Sequence, residues 1–249
     1  MVEAPSRRDR VRAATIDEIK QTARQLLVAE GPEAVSLRAI GRAMGMTAPA
    51  LYRYFGSRED LVKHLCGDIF SEIADDIHAA IVAAGEATGG DMTAKMIAAC
   101  REFRRWALAH RPEFGLVFGT PLPGLEAVHD HVIDESADKF GNEFLVLFYE
   151  LWRRHPFPVP ADDQIEPGLM AQLTRYREVL GADLPAGAVL TFLRCWVRLY
   201  GMVSLEVFGH LHFALDDPAA LFEYTLVELA ELVGLTYRAP GGPRRGQAT

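Results

Sequence analysis

From Leu61 to Ile81 an aliphatic side chain recurs at every fourth residue, through Leu65, Ile69, Ile73 and Ile77. Four residues turn an α-helix by about 400°, so the stripe rotates by roughly 40° at each step and ends nearly opposite its start. A single packing partner does not cover a stripe of that kind. One helix, on the order of 40 Å long from Arg58 to Ala84, therefore serves two cores, and the chain is built as an N-terminal unit and a following one that share it.

Elsewhere apolar residues recur at three and four, and no run alternates as a half-buried strand does. The expected fold is all-α. A first helix runs from about Val11 to Glu30 with Ile16, Ile19, Ala23, Leu26 and Leu27 inward, and Gly31-Pro32 stops it. Ser36 caps a short second helix that breaks at Gly45, and Thr47 is placed to cap a very short third with Pro49 in its first turn. Ser57, with Asp60 three residues on, opens the long helix. After the loop at 86–90 a fifth helix carries Met92, Met96, Cys100, Phe103 and Trp106 and stops before Pro112. A short helical turn and the break at 121–124 precede a helix from about Leu125 to Arg154, whose inner face is rich in aromatic residues. Further helices span about Asp163 to Leu180, Pro185 to Gly209 and Pro218 to Leu235. The expected division is an N-terminal domain at 1–63, a larger helical bundle at 64–237 and a tail rich in Pro, Gly and Arg at 238–249.

The chain of 249 residues has a net charge of -8, unevenly placed. Residues 1–63 hold eleven Lys or Arg against eight Asp or Glu, a net of +3, and the remainder holds 15 against 26, a net of -11. A basic N-terminal unit on an acidic protein points to a local rather than a global nucleic-acid surface. Cys66, Cys100 and Cys195 form no CxxC pair, which fits a reducing compartment and neither a metal knuckle nor a disulfide framework. The start of the chain has no apolar signal region, and the longest run without Asp, Glu, Lys or Arg is 12 residues, from Phe114 to Leu125. The expectation is a cytoplasmic protein without a membrane span.

Three helices within the first 55 residues, the second and third separated by the tight Met44-Gly45-Met46 turn, have helix-turn-helix spacing. A recognition helix needs an apolar underside, which Leu51 and Phe55 supply, and small or polar residues at its N-terminus to approach base edges, which Thr47, Ala48 and Pro49 supply. Tyr52, Arg53 and Tyr54 would then lie along the groove walls, although packing within the small domain is the other reading of the two tyrosines. Ser36 to Phe55, followed by Ser57-Arg58-Glu59-Asp60-Leu61, closely resembles the DNA-binding signature of the TetR/AcrR transcriptional regulators. That resemblance spans about residues 12–65. It implies a homodimer on an inverted-repeat operator in double-stranded DNA, with a helical C-terminal domain that binds a small molecule and releases DNA. By position it implies base contacts from Thr47, Ala48, Pro49 and Tyr52, and phosphate contacts from Ser36, Arg38, Arg53, Tyr54 and Lys63. A basic arm at Arg7, Arg8 and Arg10 either enters an adjacent minor groove or is a solvated tail. Trp196 to Glu206 is also similar to the Trp, His-Gly and Ser-Leu-Glu signature of one C-terminal subclass, with Tyr200 where that motif has His, and Phe103 to Gly119 looks like the same subclass.

A sensor needs an apolar cavity with a few polar anchors. Phe103, Trp106, Phe144, Phe148, Trp152 and Tyr176 are candidates, with Cys100, His110 and Arg175 as polar participants, and simple core packing is the alternative for each. His129-Asp130-His131 with Asp134 offers ligand types for a metal, but residues two apart on a helix point about 200° apart, so no metal is expected there. No P-loop, GxSxG, HExxH or GxGxxG is present, so neither a cofactor nor catalysis is expected. Dimerisation through the last two helices would use Val203, Val207, Leu221, Leu229 and Leu232, residues that serve equally well as intrachain core. The leading expectation is a ligand-responsive repressor. The alternatives are a small-molecule carrier or enzyme that keeps the helix-turn-helix as scaffold, and a redox sensor using Cys100 or Cys195.

Overall fold

The computed structural model describes residues 6–119, 131–181 and 183–240. Among them are ten α-helices: α1 (Arg7–Glu30), α2 (Leu37–Met44), α3 (Ala48–Leu51), α4 (Arg58–Thr88), α5 (Met92–Ala109), α6 (Arg111–Phe118), α7 (His131–Arg154), α8 (Pro167–Leu180), α9 (Ala186–Val207) and α10 (Ala219–Leu232). No strand occurs among the described residues, so the fold is all-α. Two compact units are formed, one within Met1–Ala74 and His110–Phe140, the other within Asp75–Ala109 and Gly141–Thr249. Helix α4 contributes to both. Its stripe divides accordingly: Leu61, Leu65, Ile69 and Ile73 are buried in the first unit, Ile77 and Ile81 in the second.

In the first unit, Ile19, Ala23 and Leu27 of α1 close on Leu37 and Ile40 of α2, on Leu51 and on Phe55. Phe114 and Phe118 of α6 pack with tilted rings at 4.8 Å between centres, and Phe118 meets Phe70 edge-on at 5.4 Å. The guanidinium of Arg58 donates to the carbonyls of Val35 (2.7 Å) and Pro32 (3.0 Å), tying the start of α4 to the turn after α1. A three-residue 3-10 turn, Pro32–Ala34, makes that turn.

In the second unit, α9 packs on α5, α8 and α10, with Ala188, Val189, Leu199 and Val203 facing inward against Phe222, Leu226 and Leu229. Arg104 makes a two-pronged pair with buried Glu206, at 2.7 and 2.5 Å, and lies over the Phe222 ring. Gly187 sits so close to the preceding segment that a Cβ there would lie 2.1 Å from the Pro160 carbonyl oxygen.

Several local expectations are corrected. The first helix begins at Arg7, because Ser6 and Asp9 form a capping box in which each side chain bonds the other residue's N–H at 3.2 Å. Arg7, Arg8 and Arg10 are therefore helical and not an extended arm. Thr47 occupies the cap position of α3 but its side chain makes no cap hydrogen bond. Asp60 of the α4 box accepts from Gly56 N–H at 2.8 Å, while its own N–H donates to Ser57 Oγ. Helix α4 continues through Thr88, past the expected end, and the left-handed glycines Gly89 and Gly90 then stop it. His129 and Asp130, the break at 121–124 and most of the tail lie outside the described residues, as do the side chains of His131 and Asp134.

Candidate nucleic-acid interface and effector cavity

The helix-turn-helix is held by backbone contact at its turn. Gly45 adopts the left-handed conformation (φ 65°), and the Met46 N–H donates to the Gly41 carbonyl at 2.8 Å. The turn comes so near α2 that a Cβ on Gly41 would sit 2.8 Å from the Met46 oxygen and 3.3 Å from Leu51 Cδ1. Leu51 is fully buried and Phe55 nearly so, which fixes the inner side of the short α3. The outer side is open: Thr47, Pro49, Tyr52 and Arg53 are exposed, Tyr52 to 58%, and Ala48 and Tyr54 are half-buried. Exposure of that size separates Tyr52 from a packing role.

The other sequence candidates lie in the same unit. Arg38 is exposed on the first turn of α2, and Lys63 is half-buried on α4. Ser36 is the N-cap of α2, its Oγ accepting from the Ala39 N–H at 3.2 Å. Arg12, one of the basic residues concentrated at the start of the chain but not a candidate contact by sequence, also matters: it donates from α1 to the Arg53 carbonyl at 3.3 Å and places its guanidinium 5.3 Å from the centre of the Tyr54 ring. It braces the C-terminal end of the recognition segment.

Elsewhere in the first unit, Arg24 of α1 joins two helices at once. It pairs with Glu72 of α4 at 2.5 and 3.0 Å and with Glu113 of α6 at 3.0 Å, and Glu113 is only 4% exposed. Hydrogen bonds donated to Glu72 foremost, and then to Glu113, hold the guanidinium more firmly protonated than usual in spite of burial. His110 Nε2 stands 3.9 Å from Glu72, so this histidine belongs to the α1–α4–α6 junction of the first unit and does not line the cavity of the second.

The second unit holds an apolar cavity of about 50 Å³ between α5, α7, α9, α10 and the segment after α10. Of the residues expected to form a ligand site, Cys100, Phe144 and Phe148 line it. Phe103 and Trp106 do not: both are wholly buried, and Phe103 packs edge-on against Phe144 at 6.3 Å between ring centres. Trp152 instead meets Phe157 edge-on at 5.1 Å. Tyr176 and exposed Arg175 lie on α8, outside the lining. Most of the rest of the wall comes from α9 and α10, through Phe192, Cys195, Trp196, Leu199, Leu226 and Leu229 among others, with Met96 and Ile97 of α5 and Val233 and Leu235 after α10. Burial pushes the Cys100 thiol up to about 12 and Cys195 up to about 11, which disfavours the thiolates a redox sensor uses.

A helix-turn-helix with a buried underside and an open tip, carried in one chain with a helical bundle that encloses a cavity, defines a DNA-binding transcriptional regulator. Residues 19–65 match the family model described as bacterial regulatory proteins, tetR family, and residues 96–229 match that of the tetracyclin repressor-like C-terminal domain. The chain belongs to the TetR family. The HTH-type transcriptional regulators Rv1816 of Mycobacterium tuberculosis and Mb1846 of Mycobacterium bovis are each 28% identical over 208 residues, 83% of this chain and 86% of theirs. The crystal structure of a regulatory protein, SCO4313, aligns with a TM-score of 0.71 and 30% identity over 92% of this chain and 100% of that one. The family and these relatives are regulators of transcription and not enzymes.

Proposed function

We propose that this regulator is a ligand-responsive cytoplasmic repressor that grips an inverted-repeat operator as a homodimer and lets go when a small apolar or amphipathic effector enters the C-terminal cavity. The observation that carries the reading is the presence, in a TetR-family chain, of an apolar cavity in one unit and an exposed recognition segment in the other. Residues 1–63 then serve DNA binding and 64–237 serve ligand binding and dimerisation, with 238–249 as a tail. Thr47, Ala48, Pro49 and Tyr52 read base edges, and Arg38, Arg53, Tyr54 and Lys63 contact phosphates, with Ser36 shaping the start of α2 beside them. Arg7, Arg8 and Arg10 reach the backbone from a helix end. The effector is coupled to DNA through α4, and it changes operator affinity only to the extent that it prefers the arrangement in which the two recognition segments no longer match the half-site spacing.

Selection from random duplex DNA at near-physiological salt tests the DNA half of the proposal: an enriched inverted repeat supports it, and no enrichment by folded protein removes it. With the operator in hand, Arg53→Ala is expected to flatten the dependence of log affinity on log salt by about 2, because each subunit then neutralises one phosphate fewer. An unchanged slope contradicts the phosphate role.

The dimer surface supported by the fold differs from the sequence expectation. Val203, Val207 and Leu229 are buried within the chain and Leu232 is half-buried, while Leu221 is exposed. Exposed apolar residues on α9 and α10 are Val197 (66%), Leu205 (43%), Leu221 (40%) and Tyr224 (58%). Helix α9 is long and apolar enough to cross a membrane by length and composition, and it carries apolar residues on its exposed side as well as on its core side. Val197→Glu is expected to convert a dimer at micromolar concentration into a monomer in sedimentation, with a corresponding loss of operator affinity. A variant that sediments as the wild type does places the interface elsewhere.

A further inference from the structure

The wall of the cavity restricts the charge of what it can hold, an inference that rests on the ligand-responsive reading above. Among the described residues, none that lines it carries a carboxylate, amine, guanidinium or imidazole. Its heteroatoms are the Met96 thioether, the Cys100 and Cys195 thiols and the Trp196 indole nitrogen, and burial holds both thiols in the neutral form. The basic residues of α5 are already engaged. Arg101 forms a two-pronged pair with Glu223 at 3.0 and 2.9 Å, Arg104 does the same with Glu206, and Lys95 stands 3.9 Å from Glu150. Turning Arg104 toward an incoming anion would strand Glu206, which is 6% exposed. Arg194 and Arg198, whose charges reach Cys195, are exposed on α9 and do not line the wall. An anion entering here would lose its hydration and find no cationic side chain on the wall, the two arginines of α9 acting only from its exposed side.

We infer that the effector is an uncharged, hydrocarbon-like molecule, and that the cavity refuses the carboxylate built on the same skeleton. This narrows the proposed class from apolar or amphipathic to apolar. A cavity of about 50 Å³ is smaller than the space of about 150 Å³ that admits benzene, so entry requires side chains to move. Met96, unbranched and half-buried, and half-buried Phe192 are placed in the wall to do so. A ligand of one or two rings is the size that such rearrangement accommodates.

Matched pairs test the inference on the full chain: toluene against benzoate, and indole against indole-3-carboxylate, each read by thermal shift and by release of the selected operator. The neutral members are expected to raise Tm by about 5 °C or more at a hundredfold excess over Kd, and the carboxylates to bind at least 100-fold more weakly. Ala230→Leu, which fills the cavity from α10, should abolish the shift; Cys195→Leu fills it from α9 and serves if the first variant does not fold. Carboxylates that bind as well as their neutral partners overturn the inference and leave ligand-responsive regulation standing. Neutral ligands that bind equally well to both filled variants overturn it too, since they then bind elsewhere, and so does a panel in which nothing binds. Neutral ligands that bind in the cavity without changing operator affinity support the ligand class and remove the effector reading instead.

Discussion

Gly41→Val is expected to lower operator affinity at least 100-fold while the C-terminal bundle stays folded. The Cβ introduced would meet the Met46 carbonyl oxygen at 2.8 Å, and the obstacle is backbone, which no rotamer change removes. The same two residues are joined by the Met46 N–H bond to the Gly41 carbonyl, so α2 and the turn can separate only by breaking it. Relief must come from displacing the turn and with it Leu51, the residue that seats the recognition segment. Overpacking of this kind costs about 1–3 kcal/mol, and the two methyls of valine put it at the upper end. Thermal melts, sedimentation and operator titration on one preparation provide the check: an early melt and abolished binding, with the wild-type oligomer retained. Operator affinity within threefold of wild type would mean that the close approach does not set the reading head.

The second large effect falls on the α1–α4–α6 junction. Arg24→Met leaves Glu113, 4% exposed, without its cation, and removal of one member of a buried pair typically costs about 3–5 kcal/mol. Arg24 is itself part-exposed, with 30% of its side-chain surface accessible, so a loss of about 3 kcal/mol is the figure to expect. Adding Glu113→Leu should return most of it, because the buried carboxylate is then replaced by an apolar side chain, while Glu72, with 35% of its side-chain surface accessible, keeps its access to water. Urea denaturation of the single and double variants measures the difference directly. If the single variant is as stable as wild type, the junction contributes nothing to the resting fold. In the proposed mechanism the stable double variant should also show a weakened response to effector, since α6 is no longer tied to α1.

Most helices are legible in the sequence because their caps and breaks are written in local chemistry: Gly31-Pro32, Ser36, Gly45 and Gly181 all fall at observed ends. The stripe of α4 discloses a shared helix because its drift is a geometric property of the sequence. The start of α1 is harder to read because a run of arginines after a proline looks like a tail, although Ser6 and Asp9 carry the same capping signal as Ser57 and Asp60. For the recognition segment, a short periodic stretch with small residues at its tip identifies both the buried and the open side. The cavity is legible only in part. Cys100, Phe144 and Phe148 stand among the sequence candidates, but periodicity names an inner face without distinguishing the part of it that meets a void from the part that meets another ring, so Phe103 and Trp106 stand with them. Helix α9 is apolar on two faces, which leaves the pattern without a preferred direction, and nothing in it marks Phe192, Cys195 and Leu199 as cavity wall. Arg12 and Arg24 act across 41, 48 and 89 residues of sequence, distances over which a side chain announces nothing of its partner.

The recognition helix α3 is four residues long, lacks a side-chain cap and begins with proline in its first turn. A segment that short does not persist by its own propensity; its shape is imposed by Leu51, Phe55 and the Gly41 contact beneath it. Thr47, Ala48, Pro49 and Tyr52 thus stand on a platform to whose stability they add little. Under the proposed reading, in which these residues meet the bases, descendants of such a gene can exchange them, and so acquire new operators, while the foundation beneath goes on folding as before: the address can be rewritten without rebuilding the house.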